Sequence, residues 1–457
     1  MGDLISALAD IVGGADVFSG ESISDDLTHD EALTATPVTP AAVVRPANTE
    51  QVAAVVALAR DLGVPLTARG SGTGMCGACI PQADGILMSF ERMAEIVEID
   101  LDNHVAVVQP GVTLAQLDEA TAVHGLVYPV FPGENSASLG GNVATNAGGM
   151  RAVRYGVTRN QVLGLTAVLG TGETITTGGK FVKATSGYDL TQLIIGSEGT
   201  LAIATEAILR LHPRLTHGST VLVPFPTLED VSASIPRIIG SGVMPTILEY
   251  IDFITMSAIT AAAGLELGVP QEVKDTALAY LVVVLENRND GRVEEDVAEL
   301  AELVMEIGAL DVYVLPAHSG AALIDAREKA FWTAKAAGAD DIIDLVVPRA
   351  SIPQYLGSVQ EAAQATGSLV VGCGHAGDGN VHLSVFQPDV ALRKDVVGRI
   401  LRAGADLGGA ISGEHGIGTE KKGYLAQIED PAKLDLMRRI KTSFDPAGIL
   451  NPGVIFD

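Results

Sequence analysis

Histidine, carboxylate and glycine occur together in two short segments near the C-terminal end of the chain. His375 and His382 flank the turn in GHAGDGNVHLSV, and Glu414 and His415 lie between glycines in SGEHGIG, about thirty residues later. Imidazole and carboxylate are ligands of catalytic divalent metals, and glycine lets the backbone approach a ligand closely. The two segments therefore predict a metal site, although a histidine taken alone is more often a hydrogen-bonded, partly buried side chain.

The spacing around His382 predicts the element that positions it. Asn380, His382 and Ser384 recur at every second residue, so their side chains share one face of a strand. The Ala-Gly-Asp-Gly turn can fold His375 back toward that face. Asp378 is predicted to form this turn and not to bind the metal.

A glycine-rich loop of a different kind lies far upstream, in RGSGTG at 69–74. The residues before it predict a strand, a helix that Asn48 and Gln51 cap and that ends at Gly63, and a second strand at 65–69. A loop at such a strand end is a normal position for a phosphate cradle. It matches neither the GxGxxG of a dinucleotide fold nor a P-loop, and a tight turn is the alternative.

Two further glycine-rich segments follow, at 132–156 and at 196–199. In the first, glycine N–H groups and the hydroxyls of Ser138 and Thr145 are predicted to serve diphosphate oxygens. In the second, a turn precedes a strand that alternates through Ile203. Three such segments predict a large, extended, phosphate-bearing ligand held against the backbone.

Length and composition limit the class of protein. The 457 residues are long enough for roughly two or three domains, and 47% hydrophobic residues indicate well-filled cores. A formal charge of −27 disfavours nucleic acid and anionic membrane as partners. The apolar stretch at 277–285 falls short of the roughly 18 residues of a membrane span and predicts a buried strand, and the N-terminus lacks a secretory signal's basic region. We therefore expect a cytoplasmic protein.

The number and spacing of the cysteines limit the kinds of redox site that the chain can form. Cys76 and Cys79 form a single CxxC, and Cys373 stands alone. Without a second cysteine pair, neither a disulfide framework nor a four-thiolate zinc or iron–sulfur site is expected. A redox dithiol remains an alternative, which the position of the pair after a glycine loop disfavours.

The order of these segments resembles the flavin-binding domain of the vanillyl-alcohol oxidase/p-cresol methylhydroxylase superfamily. GHAGDGNVH, SGEHGIG and FDPAGILNPG are similar to its FAD-linked D-2-hydroxy-acid dehydrogenases, in the branch of glycolate oxidase catalytic subunits and D-lactate dehydrogenases. The resemblance covers roughly residues 36–453. It implies an α+β fold with a vanillyl-alcohol-oxidase-type FAD-binding domain of two α/β subdomains, a ferredoxin-like α+β cap domain and a C-terminal helical segment.

The resemblance also implies domain boundaries. They are an N-terminal helical segment at 1–35, the p-cresol methylhydroxylase-type FAD-binding domain at 36–214, the substrate or cap domain with the metal site at 215–420, and a C-terminal segment at 421–457 that returns to the FAD domain.

FAD is the implied cofactor. Some members of the superfamily attach it through a histidine in the first glycine loop, and SGTG contains none, so noncovalent FAD is expected. The residues expected to bind FAD are Arg69, Gly70, Ser71, Gly72, Thr73, Gly74, Pro132, Gly133, Ser138, Gly140, Gly141, Asn142, Thr145, Asn146, Gly148, Gly149, Glu198, Gly199, Ile203 and Asn451.

The resemblance assigns the downstream segments as well. The family histidines matching His375 and His382, with the glutamate matching Glu414, hold a divalent metal, zinc or manganese. The histidine matching His415 acts as the base. The implied reaction is oxidation of a small D-2-hydroxy acid to the 2-oxo acid, by hydride transfer to flavin N5.

The resemblance matches Arg327, in IDAREKAFW, to the family's carboxylate-binding arginine, and a planar guanidinium fork suits a carboxylate. The alternative is a solvated helix arginine paired with Asp325 or Glu328. DDIIDLVVP, at 340–348, offers isoleucines (Ile342 and Ile343) and no lysine, which favours D-lactate or a glycolate-like substrate over a second carboxylate. A D-2-hydroxyglutarate-type dehydrogenase and an oxygen-using oxidase are the alternatives within the family.

Two aromatic residues and a lysine follow Arg327. Phe331 and Trp332 come first, and Trp332 is predicted to lie in the core more readily than on a substrate wall. Lys335 remains a candidate substrate contact.

The motifs present in the sequence, and the cysteine clusters absent from it, indicate which electron acceptor to expect. Relatives fused to iron–sulfur domains carry cysteine clusters that this chain lacks, so the electron acceptor is expected to be separate: a quinone, a cytochrome or an electron-transfer flavoprotein. Such a partner allows peripheral association with a membrane, and a homodimer is a candidate assembly. Hypotheses from other classes are a metal-dependent hydrolase without flavin, a non-redox flavoenzyme of the alkyl-dihydroxyacetone-phosphate synthase type, and a non-catalytic subunit.

Overall fold

Helices and strands alternate along the chain, whose computed structural model describes residues 2–457. The strands are β1 (Val17–Phe18), β2 (Ala42–Val44), β3 (Leu66–Arg69), β4 (Ile86–Ser89), β5 (Ile96–Asp100), β6 (Val105–Val108), β7 (Leu126–Val127), β8 (Val162–Leu169), β9 (Thr174–Gly178), β10 (Ala202–Arg210), β11 (His212–Pro213), β12 (His217–Phe225), β13 (Ile247–Asp252), β14 (Ala279–Asn287), β15 (Tyr313–Leu315), β16 (Asp341–Val346), β17 (Leu369–Gly374) and β18 (Asn380–Phe386).

The α-helices are α1 (Gly2–Val12), α2 (Thr49–Leu62), α3 (Leu114–Ala122), α4 (Leu139–Thr145), α5 (Ala152–Tyr155), α6 (Thr158–Gln161), α7 (Leu190–Ile194), α8 (Leu228–Ser241), α9 (Phe253–Ala263), α10 (Gln271–Lys274), α11 (Asp290–Ile307), α12 (Ala317–Glu328), α13 (Ala330–Ala336), α14 (Ile352–Thr366), α15 (Val390–Asp406), α16 (Lys422–Ile428) and α17 (Pro431–Phe444). Within residues 2–457, none of these helices has the length and apolar composition needed to cross a bilayer.

The chain divides into two compact units. The first unit consists of the chain up to Ala147, Val157–Arg214 and Glu414–Asp457. The second unit consists of Gly148–Gly156 and Leu215–Gly413.

The first unit contains a mixed sheet with the strand order β1-β2-β4-β3, in which β2 and β3 both run parallel to β4. The helix α2 connects β2 to β3. Val52, Val55, Val56 and Ala59 recur along it at helical spacing and are fully buried, so this face packs into the core. Burying each valine stabilises the fold by about 1.5–3 kcal/mol, and the helix thereby holds the RGSGTG loop at the end of β3.

Both ends of α2 lie where the sequence predicts them. Asn48 Oδ1 accepts the N–H of Gln51 at 2.9 Å, and Gly63 ends the helix in the left-handed region. The side chain of Gln51 accepts the N–H of Ala47 at 2.7 Å, one residue before the position that a capping box uses. The helix start is therefore confirmed, with a modified box.

The first unit also contains an antiparallel sheet with the order β5-β6-β10-β8-β9. Alternate residues of β10, such as Ala207 and Leu209, are buried against Leu165 of β8 in a second core. The C-terminal stretch pairs with the mixed sheet, because Leu66 N–H donates to Ile449 O and Asn451 N–H donates to Leu66 O, both at 2.8 Å.

The second unit is built on an antiparallel sheet with the order β15-β12-β14-β13-β17-β18-β16. The buried strand predicted at 277–285 is β14 (Ala279–Asn287). Tyr250 of β13 pairs with Gly374 of β17. Their chain neighbours Glu249 and His375 therefore come to the same end of these two strands.

Candidate active site

A cleft in the first unit is lined by the glycine-rich segments. Its walls are the RGSGTG loop, the segment around α4 and the turn before β10, and its empty space, counted with the open mouth, is about 1290 Å³. The glycine-rich segments, which the sequence predicts to hold one extended phosphate-bearing ligand, thus line a single cleft.

Most of the residues expected to bind FAD lie on the wall of this cleft. They are Arg69, Gly70, Ser71, Gly72, Thr73, Gly74, Pro132, Ser138, Gly140, Gly141, Asn142, Thr145, Glu198, Gly199 and Ile203. Of the others, Gly133, Asn146 and Asn451 belong to the first unit but lie off the wall, and Gly148 and Gly149 belong to the second unit.

Two buried polar atoms of the wall fit a polar ligand. Nδ2 of Asn142 and Oγ of Ser197 have no hydrogen-bond partner among residues 2–457, although both side chains are more than nine-tenths buried. Buried polar atoms are normally satisfied, so a ligand that supplies an acceptor and a polar partner would complete them. Gly70 allows close approach of the walls, because a Cβ there would collide with Ser138 Oγ.

Some N–H groups predicted to bind the diphosphate are engaged inside the protein. Gly140 N–H donates to Pro110 O at 2.8 Å, and Gly141 N–H donates to Ser138 Oγ at 3.3 Å. Ser138 Oγ also accepts the N–H of Ser71 at 3.3 Å. These groups hold the first two glycine-rich segments together and so shape the wall.

Arg69 is buried in the wall, but its guanidinium is turned toward the N-terminal part of the chain. Nη1 donates to His29 O at 2.5 Å, and Nη2 donates to Asp26 O at 2.7 Å. Because both nitrogens bind carbonyl oxygens, Arg69 anchors residues 26–29 at the end of β3.

The CxxC cysteines are free thiols. Cys76 Sγ donates to Gly416 O at 3.2 Å. Burial, followed by the charge of Asp30, raises the pKa of Cys79 to about 12. A reactive thiol needs a lowered pKa, so the surroundings of Cys79 argue against a redox dithiol.

Glu198 ties the turn before β10 to the segment that follows His415. Its carboxylate accepts the N–H groups of Ile417 at 2.8 Å and Gly418 at 2.7 Å. Its backbone lies in the left-handed region, with φ of 51°, and its carbonyl accepts Nδ2 of Asn451 at 2.7 Å. Glu198 therefore positions the His415 loop, and Asn451 supports the strained turn.

Burial raises the pKa of Glu198 to about 7, against the lowering effect of the Ile417 and Gly418 N–H groups and of Lys421. An acid whose pKa is higher in the folded state binds its proton more tightly there, so the stability it contributes falls as pH rises from about 4.5 to about 7. We expect Glu198→Gln to remove this slope, worth at most about 3 kcal/mol at 1.36 kcal/mol per pKa unit.

The measurement is urea unfolding of the flavin-loaded protein and of Glu198→Gln at pH 5, 6 and 7. The matched control is Glu173→Gln, an exposed glutamate of the same unit. Parallel pH profiles for the parent protein and Glu198→Gln would contradict the assignment.

Glu414 and His415 lie on the wall of the same cleft. Gly416 follows in the left-handed region, with φ of 88°, and a Cβ there would be 2.9 Å from the Glu198 carboxyl carbon. Glycine at this position therefore lets Glu198 reach the segment beyond it.

The imidazoles of His375 and His382 lie together in the second unit, edge to face, with ring centroids 4.8 Å apart. The predicted strand that carries His382 is β18, which confirms the period-two reading. Asp378 Oδ1 accepts the N–H of Asn380 at 3.1 Å, as expected for a turn-forming residue.

A fully buried carboxylate lies behind His375. Glu249 Oε1 is 2.7 Å from Nδ1 of His375, and Glu249 Oε2 is 2.6 Å from Nη2 of Arg327. Burial raises the pKa of Glu249, but the charge of Arg327 and the hydrogen bond from His375 outweigh burial and hold that pKa below its ordinary value. Arg327 is 6% exposed, so the alternative of a solvated helix arginine is wrong.

Asp344 of β16 is also fully buried, and it holds the segment that precedes Glu414. Its Oδ1 accepts Nδ2 of Asn380 at 2.7 Å, and its Oδ2 accepts Ser412 Oγ and Gly413 N–H, both at 2.9 Å. Nδ1 of His382 is 3.7 Å from Oδ1, a distance for electrostatic attraction and too long for a hydrogen bond.

Each histidine of the pair thus has a carboxylate on its Nδ1 side, Glu249 for His375 and Asp344 for His382. In metal sites, a carboxylate on one ring nitrogen orients the imidazole and leaves the other nitrogen for the metal. The donor set of the second unit therefore fits a divalent metal. Glu414 directly follows Gly413 in the chain.

The sequence patterns do not single out Glu249 or Asp344. The available signal is a lone carboxylate inside an apolar strand, in ILEYID and in DIIDLVV. A charge at such a position costs several kcal/mol unless it is paired, so each of these acids implied a cationic or hydrogen-bonding partner.

The residues considered for the substrate wall occupy different environments. Trp332 is 38% exposed, so the prediction of a core position is wrong. Nζ of Lys335 lies 5.2 Å from the Trp332 ring centroid, within cation–π range. Ile343 is buried in the core of the second unit, and Ile342 is partly exposed.

Known families match both parts of the chain. The model described as "FAD binding domain" matches residues 40–178, and the model described as "FAD linked oxidases, C-terminal domain" matches residues 214–455, more than half of the chain.

Characterised and uncharacterised relatives agree with these matches. The chain is 55% identical to an uncharacterized FAD-linked oxidoreductase of Mycobacterium tuberculosis over 100% of this chain and 99% of the relative. It is 38% identical to a D-lactate dehydrogenase of Archaeoglobus fulgidus over 90% of each. It is 36% identical to a glycolate oxidase subunit of Bacillus subtilis over 91% of this chain and 89% of the relative.

Among solved structures, p-cresol methylhydroxylase with substrate bound is similar with a TM-score of 0.78 at 16% identity, covering 99% of this chain and 96% of that one. This likeness confirms the predicted fold class. The family matches and the relatives show that the chain belongs to the FAD-linked oxidoreductases, in the branch of D-lactate dehydrogenases, glycolate oxidase subunits and D-2-hydroxyglutarate dehydrogenases.

Proposed function

We propose that the protein is an FAD-dependent dehydrogenase that oxidises a small D-2-hydroxy acid, D-lactate or a glycolate-like acid, to the 2-oxo acid. The observation that carries this proposal is the position of Gly413 and Glu414, where the chain passes from the second unit into the first. Asp344 holds Gly413, and the next two residues, Glu414 and His415, line the flavin cleft.

Arg327 is proposed to bind the substrate carboxylate with its guanidinium fork. Glu249 Oε2 forms an ion pair with one nitrogen of that fork, Nη2, at 2.6 Å, which favours one position of the guanidinium before any substrate arrives. The pairing also offsets the cost of burying the cation. A preoriented arginine suits a substrate whose carboxylate must be fixed while chemistry takes place at the adjacent carbon.

His415 is proposed to take the proton of the substrate hydroxyl. Its loop is held from both sides, by Asp344 at Ser412 and Gly413 and by Glu198 at the residues that follow. Bound FAD supplies the hydride acceptor for the Cα–H.

His375, His382 and Glu414 are proposed to hold a divalent metal, zinc or manganese. When bound, the metal supplies a Lewis acid for the oxygens of the substrate. The hydrogen bond to Glu249 orients the imidazole of His375, and Asp344 attracts that of His382 electrostatically, so that a nitrogen of each ring would be presented as a ligand.

A small apolar substituent is favoured at the substrate Cα. The strand β16 offers Ile342 in a partly exposed position and Ile343 in the core, and it contains no lysine for a distal carboxylate. The electron acceptor is proposed to be a separate quinone, cytochrome or electron-transfer flavoprotein. A homodimer and a cytoplasmic location, with contact to a membrane only through such an acceptor, complete the proposal.

The test is anaerobic addition of paired D- and L-2-hydroxy acids of graded size to the purified flavin-loaded protein. We expect D-lactate or glycolate to bleach the visible absorption of the flavin, and L-lactate and D-2-hydroxyglutarate to act far more slowly. Bleaching separates a dehydrogenase from a non-redox flavoenzyme. A flavin that no D-2-hydroxy acid reduces would refute the proposal.

Replacing Arg327 with alanine is expected to raise KM by roughly 10–150-fold with a smaller effect on kcat, because charge-assisted hydrogen bonds contribute about 1.5–3 kcal/mol. The truncation leaves Glu249 buried without its cation, so Arg327→Lys serves as a second variant that keeps the charge and loses the fork. Steady-state kinetics give both constants. Arg237→Ala, an exposed arginine of the same unit, is the control, and an unchanged KM for both Arg327 variants would contradict the role.

A further inference from the structure

Glu249 stands out among the acids of the second unit because its side chain is fully buried and faces two different functional groups. Oε1 accepts from Nδ1 of His375 at 2.7 Å, and Oε2 lies 2.6 Å from Nη2 of Arg327. One carboxylate oxygen thus accepts a hydrogen bond from His375, and the other forms an ion pair with Arg327.

The position of Glu249 follows from the strand that carries it. The neighbours Leu248 and Tyr250 on β13 are buried, so the strand offers the carboxylate no access to water. A lone charge in such a place is strongly unfavourable, and a well-packed apolar residue would cost less. An acid at this position therefore points to a role in orienting its partners.

The two contacts have a chemical consequence for each partner. An ionised carboxylate only accepts hydrogen bonds, so Nδ1 of His375 is the donor, and in the neutral imidazole the lone pair is then on Nε2. On the other side, the same carboxylate forms an ion pair with one nitrogen of the Arg327 fork. A shift of Glu249 must therefore move both groups.

We propose that Glu249 is a positioning residue that couples the carboxylate-binding arginine, Arg327, to the metal-binding histidine, His375. This inference rests on the proposed function, since it takes the roles of those two residues from there. It adds that a single residue, Glu249, positions both the side chain proposed to bind the substrate and a side chain proposed to bind the metal.

The test compares Glu249→Gln and Glu249→Asp with the matched control Asp252→Asn. Gln keeps the length of the side chain and loses the charge, whereas Asp keeps the charge and loses the reach to both partners. Asp252 is a carboxylate at the end of the same strand, and it accepts the N–H groups of Thr255 and Gly372 as the cap of α9. Its replacement reports the effect of losing a carboxylate from β13 in general.

Two quantities are measured on flavin-loaded protein stripped of metal by a chelator. One is Zn²⁺ affinity by calorimetric titration, and the other, after reloading with Zn²⁺, is KM for D-lactate. Replacing a carboxylate that hydrogen-bonds a metal-binding histidine typically changes metal affinity by roughly 10–100-fold. We expect Glu249→Gln to weaken Zn²⁺ binding by that factor and to raise KM at least about tenfold, with flavin content unchanged, and Glu249→Asp to shift both in the same direction by less.

Parent-like Zn²⁺ affinity and KM in Glu249→Gln would overturn the proposal, and so would a change in only one of the two. If Glu249→Gln does not fold, unchanged values in Glu249→Asp overturn it. Equal effects in Asp252→Asn would also overturn it, because they would show general damage to the sheet. If D-lactate does not bleach the parent flavin, the proposed function fails on its own, and the Zn²⁺ titration still reports whether Glu249 supports His375.

Discussion

Replacing His415 with asparagine is expected to lower kcat by roughly 10²–10⁴-fold, the usual contribution of a positioned general base. Asparagine keeps a polar side chain of similar size on the cleft wall but cannot accept the hydroxyl proton. The neighbouring segment should stay in place, because Asp344 and Glu198 hold it through Gly413 and Ile417. FAD content and the unfolding temperature are therefore expected to change little.

The measurement is the rate of flavin reduction after rapid anaerobic mixing with D-lactate, which reports the chemical step without the electron acceptor. The control is His212→Asn, a partly buried histidine of the same unit that lies off the cleft wall. A His415→Asn protein that reduces its flavin at the parent rate would contradict the assignment of the base.

Replacing His382 with alanine is expected to remove both the metal and turnover while FAD stays bound. Loss of the metal removes several kcal/mol of stabilisation of the transition state, so the expected fall in kcat is roughly a thousandfold or more. Loss of metal without loss of FAD is expected because His382 lies on β18 of the second unit, whereas the cleft proposed to bind FAD is lined by residues of the first unit.

Metal content per flavin, visible absorption and turnover are measured on the same preparation. Ser384→Ala is the matched control, since Ser384 follows on the same face of β18, one period further along. Exhaustive chelation of the parent protein is expected to reproduce the loss, and readdition of Zn²⁺ or Mn²⁺ to reverse it. Full activity of the chelated, metal-free parent protein would refute the metal role.

Membership in the FAD-linked oxidoreductase family replaces the hypothesis of a hydrolase without flavin. The upstream glycine-rich segments and the downstream histidines no longer need separate explanations, because both belong to one flavoprotein. An anionic substrate of this strongly acidic chain requires local cations, and Arg327, which is buried beside Glu249, is the cation that we propose for this role.

Local patterns determined the elements and many of the positions that carry chemistry. The N-cap at Asn48, the stop at Gly63 and the strand through His382 follow from capping and from period-two alternation, which act over a few residues. The glycine-rich segments predicted a large polar ligand because glycine content is visible without any knowledge of contacts.

Pairings between distant residues were decided only by the tertiary structure. Glu249 of β13 meets His375, which follows the neighbouring strand β17, and Arg327 of helix α12. Asp344 of β16 meets Ser412 and Gly413, which lie far from it in the chain. Burial is likewise a property of packing. Arg327 is therefore buried although a solvated position was the alternative, and Trp332 is partly exposed although a core position was predicted.

The same limit applies to the direction of a side chain. The sequence by itself determined that Arg69 stands at the end of a strand beside a glycine loop, and the fold turned its guanidinium to the carbonyls of Asp26 and His29. A residue's type and spacing are local, whereas the partner that satisfies its charge is chosen by whichever segment packs against it.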